Sequence, residues 1–136
     1  MAANTRTATA VQILCVIAWV GDGGTDATQI AKSLQTNPVV VRRILKSLEQ
    51  AGLVEIRTGR NGGVTLARAP RGIMLDEIHR AVEDGSVLAL RPGVNRKCPV
   101  SLRMKGLLSP VFDAASQAVE KSLAKTSLAS LVEAIG

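Results

Sequence analysis

The stretch from Asp26 to Leu66 constrains the fold most, because it carries the start signals of two short helices in a fixed order. A first helix is predicted to begin at Asp26, whose carboxylate can accept an unpaired backbone N–H, with Gln29 completing a capping box. A second helix is predicted to begin at Asn37-Pro38, an N-cap followed by a proline at the first helical position. Two short helices joined by a tight turn form a helix-turn-helix.

The second helix has one apolar face and one polar, mostly basic face. Its apolar side chains recur at helical spacing: Val41, Ile44, Leu45 and Leu48. Off that stripe lie Arg42, Arg43, Lys46, Glu49 and Gln50. One face is therefore predicted to pack inward while the other stays in solvent. Ala51-Gly52 is predicted to end the helix, because glycine adopts the left-handed conformation that follows many helices.

A β-hairpin is predicted directly after the second helix. Residues 53–57 alternate between apolar and polar side chains, as in a first strand. Gly59 to Gly63 has the composition of a hairpin turn, and Val64 to Leu66 is the predicted returning strand. In this position a hairpin is the wing of a winged helix-turn-helix. The predicted fold class is therefore mainly α with a small β-hairpin, extended by a long C-terminal dimerisation helix.

Charge is distributed unevenly along the chain. Up to Arg71 there are nine Lys or Arg against four Asp or Glu, a net charge of +5. The remainder holds eight against seven, a net charge of +1, so nearly all of the total of +6 lies in the helix-turn-helix half. A basic helix face alone is usually a solvated surface, but this asymmetry indicates a polyanionic partner.

The low aromatic content indicates which nucleic acid is bound. The chain has one Trp, one Phe and no Tyr, and both Trp19 and Phe112 lie outside the basic unit. That unit therefore lacks the rings on which single-stranded DNA or RNA modules stack their bases. The predicted partner is duplex DNA.

The most apolar run is Val11 to Val20, in which Gln12 is the one polar residue. It is too short to cross ~30 Å of hydrocarbon as a helix. A signal peptide is disfavoured because Arg6 is the single preceding charge and the glycine-rich segment 21–24 replaces a cleavage site. No membrane partner is predicted. A helix this apolar is expected to be buried on both faces, covered by the long C-terminal helix or by a second subunit.

The rest of the chain is predicted to be helical. An amphipathic helix runs from Ile73 to Glu83 and is closed by Asp84-Gly85. His79 in this helix is interpreted as a surface or packing residue. A final short helix, about 127–134, is expected to be capped by Thr126.

A long apolar-striped helix precedes that final helix. The stripe and its flanks consist of Met104, Leu107, Leu108, Val111, Phe112, Ala115, Ala118, Val119 and Leu123. Ser109-Pro110 indicates a kink or, alternatively, a fresh helix start, and a kink is favoured. A striped helix attached to a DNA-reading unit is the usual means of dimerisation, and a two-fold dimer matches a palindromic duplex site.

Two cysteines argue against a disulfide framework and for a reducing compartment, so a cytoplasmic location is predicted. Cys15 lies in the apolar run and is interpreted as an inert core thiol. Cys98 stands at a predicted helix start with Arg96, Lys97 and Arg103 nearby in sequence. A helix N-terminus and nearby cations both stabilise a thiolate. Cys98 is therefore either a reactive sensing thiol or a small N-capping residue.

Catalysis is not expected. One His, no Tyr and two separated Cys give neither a catalytic triad nor an intrachain zinc set. The glycine-rich segment 21–24 lacks the GK[ST] ending of a phosphate-binding loop. An alternative to a DNA-binding protein is a regulator that acts mainly by binding a partner protein through its apolar helices. A gel-shift experiment on duplex DNA distinguishes the two.

Three segments in combination resemble a known family. They are the run from Ala31 to Leu66 with Ala51-Gly52-Leu53-Val54 and Gly59-Arg60-Asn61-Gly62-Gly63, then Ile73-x-Leu75-x-x-Ile78-x-x-Ala81-Val82-Glu83-Asp84-Gly85, and Cys98-Pro99-Val100. Together they resemble the Rrf2 (Rrf-two) family of bacterial winged-helix transcription regulators over almost the whole chain. The resemblance implies a homodimer with a recognition helix at about 38–50 and a wing that reaches the minor groove. It also implies that Val39, Val40 and Arg42 meet base edges.

The chain departs from that family at the sensing loop and the wing. Members that sense through an iron-sulfur cluster carry three evenly spaced loop cysteines, and the corresponding positions here are Ser86, Pro92 and Cys98. Clusters require thiolates, so no cluster and no other cofactor is expected. The usual wing arginine is replaced by Thr58, which leaves Arg57 or Arg60 for its role. The chain resembles the cysteine-poor branch of the family.

The sequence thus predicts a DNA-binding part at residues 1–71 and a helical part for dimerisation and signal sensing at residues 72–136, within one compact domain. The expected function is that of a duplex-DNA-binding transcription regulator, a repressor acting as a homodimer. The predicted DNA-binding residues are Thr28, Asn37, Pro38, Val39, Val40, Arg42, Arg43, Lys46, Arg57, Thr58, Arg60 and Asn61. The predicted sensing residue is Cys98, with an unknown effector, and no catalytic residue or metal site is predicted.

Overall fold

The computed structural model describes residues 4–83 and 87–136, which form a mainly helical fold with one antiparallel β-hairpin. The elements are α1 (Arg6–Val20), α2 (Ala27–Leu34), α3 (Pro38–Gln50), β1 (Val54–Arg57), β2 (Gly63–Leu66), α4 (Leu75–Val82), α5 (Pro99–Leu123) and α6 (Leu128–Ile135). Short 3-10 turns at Gly21–Gly23 and Pro70–Gly72 join some of them. The predicted fold class, mainly α with a small β-hairpin and a long C-terminal helix, is confirmed. The dimerisation role of the long helix stays a prediction.

Both helices of the helix-turn-helix begin where the capping residues predict. The Asp26 carboxylate accepts the backbone N–H of Gln29 at 2.9 Å, and the Asn37 side chain accepts that of Val39 at 2.8 Å. Between them, Gln35 closes α2 in the left-handed conformation with φ of 54°. No glycine marks this turn in the sequence, so a polar residue takes a conformation that glycine adopts more readily.

The end of α3 and the hairpin also follow the prediction. Gly52 has φ of 78°, its N–H donates to the Glu49 carbonyl at 2.9 Å, and the chain leaves the helix there. Strands β1 and β2 then pair antiparallel, with Arg57 opposite Gly63. Residues 58–62 form the turn. This hairpin, residues 54–66, is called the wing below.

Two contacts that the sequence did not predict fix the wing on the helices. The Val64 N–H donates to the Thr25 carbonyl at 2.8 Å, so the segment before α2 forms an isolated bridge to β2. The Glu49 carboxylate accepts the Ile56 N–H at 3.3 Å, which ties α3 to β1. A one-residue bridge leaves no periodic signal in a sequence. The wing is therefore positioned by α3 and by the segment that leads into α2.

Helix α1 lies at the centre of the core. Ala10, Ile13, Leu14 and Ile17 are buried, and α1 packs on α2, α3, β2, α4 and α6. Of the two predicted covers, the long C-terminal helix is wrong, because α4 and α6 of the same chain pack on α1; a second subunit as cover stays a prediction. Nor is Cys15 a fully buried core thiol: it is half-buried at the edge of the core. Even so, burial raises the pKa of the Cys15 thiol.

Helix α6 reaches α1 because backbone hydrogen bonds hold its start against the segment before α4. The Leu128 N–H donates to the Ile73 carbonyl at 2.8 Å, and the Leu75 N–H donates to the Thr126 carbonyl at 3.0 Å. Leu128 itself is wholly buried. The N-cap is Ser127, whose hydroxyl accepts the Ser130 N–H, so the prediction of Thr126 as cap is off by one residue.

Helix α4 begins two residues later than predicted, because Ile73 is extended and engaged with α6. Its predicted closing residues Asp84-Gly85 lie outside the described residues. His79 is half-buried, with Nδ1 2.9 Å from the Thr7 hydroxyl of α1, which confirms a packing role. Helix α4 thus contacts α1 directly.

Helix α5 is a single helix of 25 residues with Pro110 inside it, so a fresh helix start at Ser109 is wrong. None of its residues is buried. One face packs on α4 and includes the half-buried residues Leu108, Phe112, Val119 and Leu123. The other face is exposed: Val100, Met104, Leu107, Val111 and Ala118, at four-three spacing. None of the described helices is apolar over a length that would cross a bilayer.

Candidate nucleic-acid interface

The predicted DNA-binding residues lie on the outer surface of the helix-turn-helix and the wing. Eleven of the twelve are exposed, and the remaining one, Pro38, is half-buried. Such a surface is open to a large partner. Within α3, the predicted residues alternate in sequence with the buried stripe, and the structure places the two sets on different faces of the helix.

A groove of about 580 Å³ runs between α3 and the wing. Two predicted residues line it from the helix, Arg42 and Lys46, and three from the wing, Arg57, Thr58 and Arg60. We call it the α3/wing groove. It brings five predicted residues from two elements to one place. The other seven predicted residues lie outside its lining.

The cations of this surface are nearly free of acidic partners. Among residues 4–83 and 87–136, no salt bridge within 4.0 Å involves Arg42, Arg43, Lys46 or Arg60. Arg57 lies 4.0 Å from Glu55, and both side chains are exposed, so this pair contributes little. Glu49, which also lines the groove, already accepts the Ile56 N–H. The α3/wing groove is lined by four cations against the carboxylates of Asp26 and Glu49, so it keeps an excess of positive charge, as binding to a phosphate backbone requires.

Helical geometry gives Arg42 and Arg43 different directions. At 100° per residue, Val39, Arg43 and Lys46 point away from the buried stripe of α3. Arg42 lies to one side and lines the α3/wing groove. The two neighbouring arginines are therefore not equivalent.

The tip of the wing depends on glycine. A Cβ on Gly62 would lie 2.8 Å from the Gly59 carbonyl oxygen and closer still to that of Arg57. The Gly62 N–H donates to the Gly59 carbonyl at 3.0 Å and closes the turn. This tight turn holds Arg60 and Asn61 at the exposed tip of the hairpin.

Cys98 lies outside this interface, at the start of α5. It occupies the N-cap position and is half-buried, but its side chain makes no capping hydrogen bond, so the thiol itself is not a cap. It lines a cavity of about 610 Å³ between α5 and the preceding loop, together with Pro92, Met104 and Lys105. Asn95 holds this loop, since its carbonyl accepts the Cys98 N–H at 3.0 Å.

A helix-turn-helix with an attached hairpin and a basic groove between them defines a protein of the winged helix-turn-helix class. A family model described as Rrf2, iron-dependent transcriptional regulator, matches residues 3–134. YwnA of Bacillus subtilis, named as an HTH-type transcriptional regulator, is 38% identical over 126 residues, 92% of each chain. The chain belongs to the Rrf2 family of transcriptional regulators and is not an enzyme.

Solved structures show the same fold. A crystal structure described as a DNA-binding protein has 35% sequence identity and a TM-score of 0.75, over 93% of this chain and 97% of that one. The structure of CymR, the global cysteine regulator of Bacillus subtilis, has 22% identity and a TM-score of 0.67, over 98% and 97%. The latter likeness concerns the fold alone.

The family description names iron, but the donor set of this chain does not fit an iron-sulfur cluster. Cys15 lies on α1 and Cys98 at the start of α5, while Pro92 carries no donor atom in its side chain. Ser86 lies outside the described residues. Within the described ranges, no group of three or more His, Cys, Asp or Glu could hold a metal ion. We therefore assign no step to a cluster.

We predict that protein purified without oxygen is colourless, contains no stoichiometric iron and binds duplex DNA. The reason is that one loop thiol per chain cannot hold a cluster. Iron quantification and visible absorption spectroscopy test this, with chelator-treated protein as the control for DNA binding. Stoichiometric iron with visible absorption that is lost in Cys98→Ser would contradict the assignment and indicate ligands shared across a dimer.

Proposed function

We propose that the protein is a homodimeric, sequence-specific duplex-DNA-binding regulator that represses transcription in the cytoplasm. The observation that carries this proposal is the α3/wing groove, where Arg42 and Lys46 of α3 meet Arg60 of the wing. Among the described residues, none of these three cations has a salt-bridge partner within 4.0 Å. Two relatives support it by their descriptions, one as an HTH-type regulator and one as a DNA-binding protein. Residues 1–71 are the DNA-binding part in this proposal, and residues 72–136 serve dimerisation and sensing.

In the proposed complex, α3 enters the major groove as the recognition helix and the wing lies along the adjacent minor groove. Val39, Val40 and Arg42 meet base edges, while Thr28, Asn37, Arg43 and Lys46 hold the backbone. Arg60 is the proposed minor-groove cation, since it lies at the wing tip and has no acidic partner among the described residues. Arg57 is less suited because Glu55 lies beside it.

The exposed face of α5 supports the homodimer. Val100, Met104, Leu107 and Val111 lie within about 60° of one another on the helix and are uncovered in the single chain. An aligned apolar stripe of this kind is typical of a helix that packs on another helix. A second copy related by a two-fold axis covers both stripes at once and presents two copies of α3 to a palindromic operator.

The dimer prediction is tested with a matched pair of variants on α5. Leu107→Glu places a charge in the exposed stripe and is expected to give monomers, because burying an unpaired carboxylate is costly. Leu102→Glu changes a residue that is also exposed but lies on another side of the helix, so it should leave the dimer intact. Sedimentation velocity distinguishes the outcomes. A monomeric parent protein, or equal effects of both variants, would contradict the dimer.

DNA binding by the parent protein is tested by its salt dependence. If the dimer makes roughly 6–10 phosphate contacts, affinity for its operator should fall by about 10³-fold or more between about 50 and 200 mM salt. Gel shift or fluorescence anisotropy measures this. Transcription in vitro from a promoter that overlaps the operator should decrease as protein is added. Salt-independent binding would overturn the DNA-binding proposal, whereas increased transcription would overturn repression alone.

Base readout and phosphate contact have different signatures in variants. Arg42→Ala should weaken the free energy of binding to the operator by about 1–3 kcal/mol and relax the preference at one base pair. Both effects are expected when a contact between arginine and guanine is lost. Arg60→Ala should weaken binding mainly where A·T-rich flanks narrow the minor groove. Lys125→Ala is the control, since it removes an exposed charge outside this surface. Equal losses for Arg42→Ala on operator and random DNA would show a phosphate contact instead.

We also propose that Cys98 makes the protein responsive to thiol chemistry. It begins the helix that carries the dimer stripe, so a bulky or charged adduct there can move one copy of α3 relative to the other. Such a change in half-site spacing is enough to release a palindromic operator. Burial raises the pKa of the Cys15 thiol. Because the thiolate is the reactive form, Cys15 should react more slowly with oxidants and alkylating reagents than Cys98.

Mass spectrometry after iodoacetamide treatment tests this order of reactivity, and Cys98 should be labelled ahead of Cys15. Operator binding by the parent protein should fall after peroxide treatment, while Cys98→Ser should keep it. Cys15→Ser is the matched control and should respond as the parent does. If Cys98→Ser loses binding in the same way as the parent, the signal enters elsewhere.

A further inference from the structure

The first turn of α3 presents apolar groups to solvent. Val39 is 55% exposed and Val40 40% exposed, although the next residue, Val41, is completely buried. Pro38 beside them carries no polar side-chain atom. Single exposed valines need no explanation, but two adjacent ones at the start of a recognition helix lie where base edges are read.

The backbone donors of this turn are already used. Pro38 has no N–H, and the Val39 N–H donates to the Asn37 side chain at 2.8 Å. The N–H groups of Val40 and Val41 donate to the Asn37 carbonyl at 3.0 and 3.3 Å. Helix N-termini commonly bind phosphate through free N–H groups, but this one has none to offer in its first turn. Residues 38–40 can therefore contribute only apolar contact.

In the major groove the apolar group on a base edge is the 5-methyl group of thymine. We infer that Val39 and Val40 recognise pyrimidine 5-methyl groups, so that each operator half-site contains thymine under the first turn of α3. This inference rests on the proposed function, because it requires α3 to lie in the major groove.

The choice of valine suits this contact. A β-branched side chain in a helix has essentially one χ1 rotamer, so the positions of its methyl groups are fixed before binding. Cytosine presents an N4 amino donor and no methyl at the same edge. A polar donor facing two valines loses its water without gaining a partner, which disfavours cytosine. The first turn thus selects thymine, and Arg42, one turn later, supplies polar readout.

The test changes the DNA and leaves the protein intact. An operator selected from random duplexes by the parent protein is synthesised with each thymine replaced in turn by uracil, which removes only the methyl group. At one or two positions per half-site, affinity should fall about fourfold, and about fifteenfold when both half-sites are changed, as expected for one methyl-sized contact each. At the same positions, 5-methylcytosine should bind better than cytosine by a similar factor.

Two variants assign the contact. Val39→Ala and Val40→Ala should each lose the preference for thymine over uracil at its own position and keep it at the other. Both side chains are exposed, so the variants should fold, and a thermal melt checks this. If the parent binds the operator equally well with uracil at every position, or if both variants keep the full preference, the inference is overturned while the DNA-binding function stands. If the parent shows no salt-dependent duplex binding at all, the proposed function itself fails.

Discussion

The packing of α1 in the centre of the chain is the interaction on which the other elements depend. Ala10, Ile13, Leu14 and Ile17 of α1 are buried, and the helix contacts both helices of the helix-turn-helix, the wing, α4 and α6. Burial of apolar surface is the main favourable term in folding, and here each of these neighbours buries apolar surface against α1. The helix-turn-helix, the wing, α4 and α6 therefore share one core and do not form separate modules.

This shared core explains how the two ends of the molecule can influence each other. Helix α4 packs on α3, on α1 and on α5, so it is the element that joins α3 to α5. Arg80 of α4 is paired with Asp76 at 2.9 Å and lies 4.0 Å from Glu120 of α5. A packed interior transmits displacement instead of absorbing it. A change at the start of α5 thus has a direct structural path to α3.

The sequence predicted the local features well because local interactions determine them. Asp26, Asn37 and Gly52 mark the ends of helices through contacts within a few residues, and each of these contacts is present in the structure. The basic outer face of α3 followed in the same way from the spacing of its buried stripe. The exposure of these side chains could therefore be predicted from the sequence, since exposure on a helix is set by periodicity; their contact with DNA stays a prediction.

The features that the sequence did not predict are long-range. The pairing of Thr25 with Val64 joins residues 39 positions apart and leaves no pattern around either one. Two backbone hydrogen bonds, from Leu128 to Ile73 and from Leu75 to Thr126, hold the start of α6 in place. The apolar pattern of the sequence alone could therefore not show whether α5 or α6 packs on α1. Likewise, the α3/wing groove could not be predicted from the sequence, because its existence depends on how far α3 lies from the wing. Contacts of this kind are decided by the tertiary fold and not by local preference.

The central claim is that α3 and the wing together form the surface that binds duplex DNA. Hydrogen-deuterium exchange with and without operator DNA tests it most directly, because it reports on each segment of the intact protein. Exchange should slow in residues 37–50 and 54–66, and the turn at 58–62 should show the largest change, since its amides are the most exposed part of the wing. Protection confined to α5, with α3 and the wing unchanged, would contradict the account.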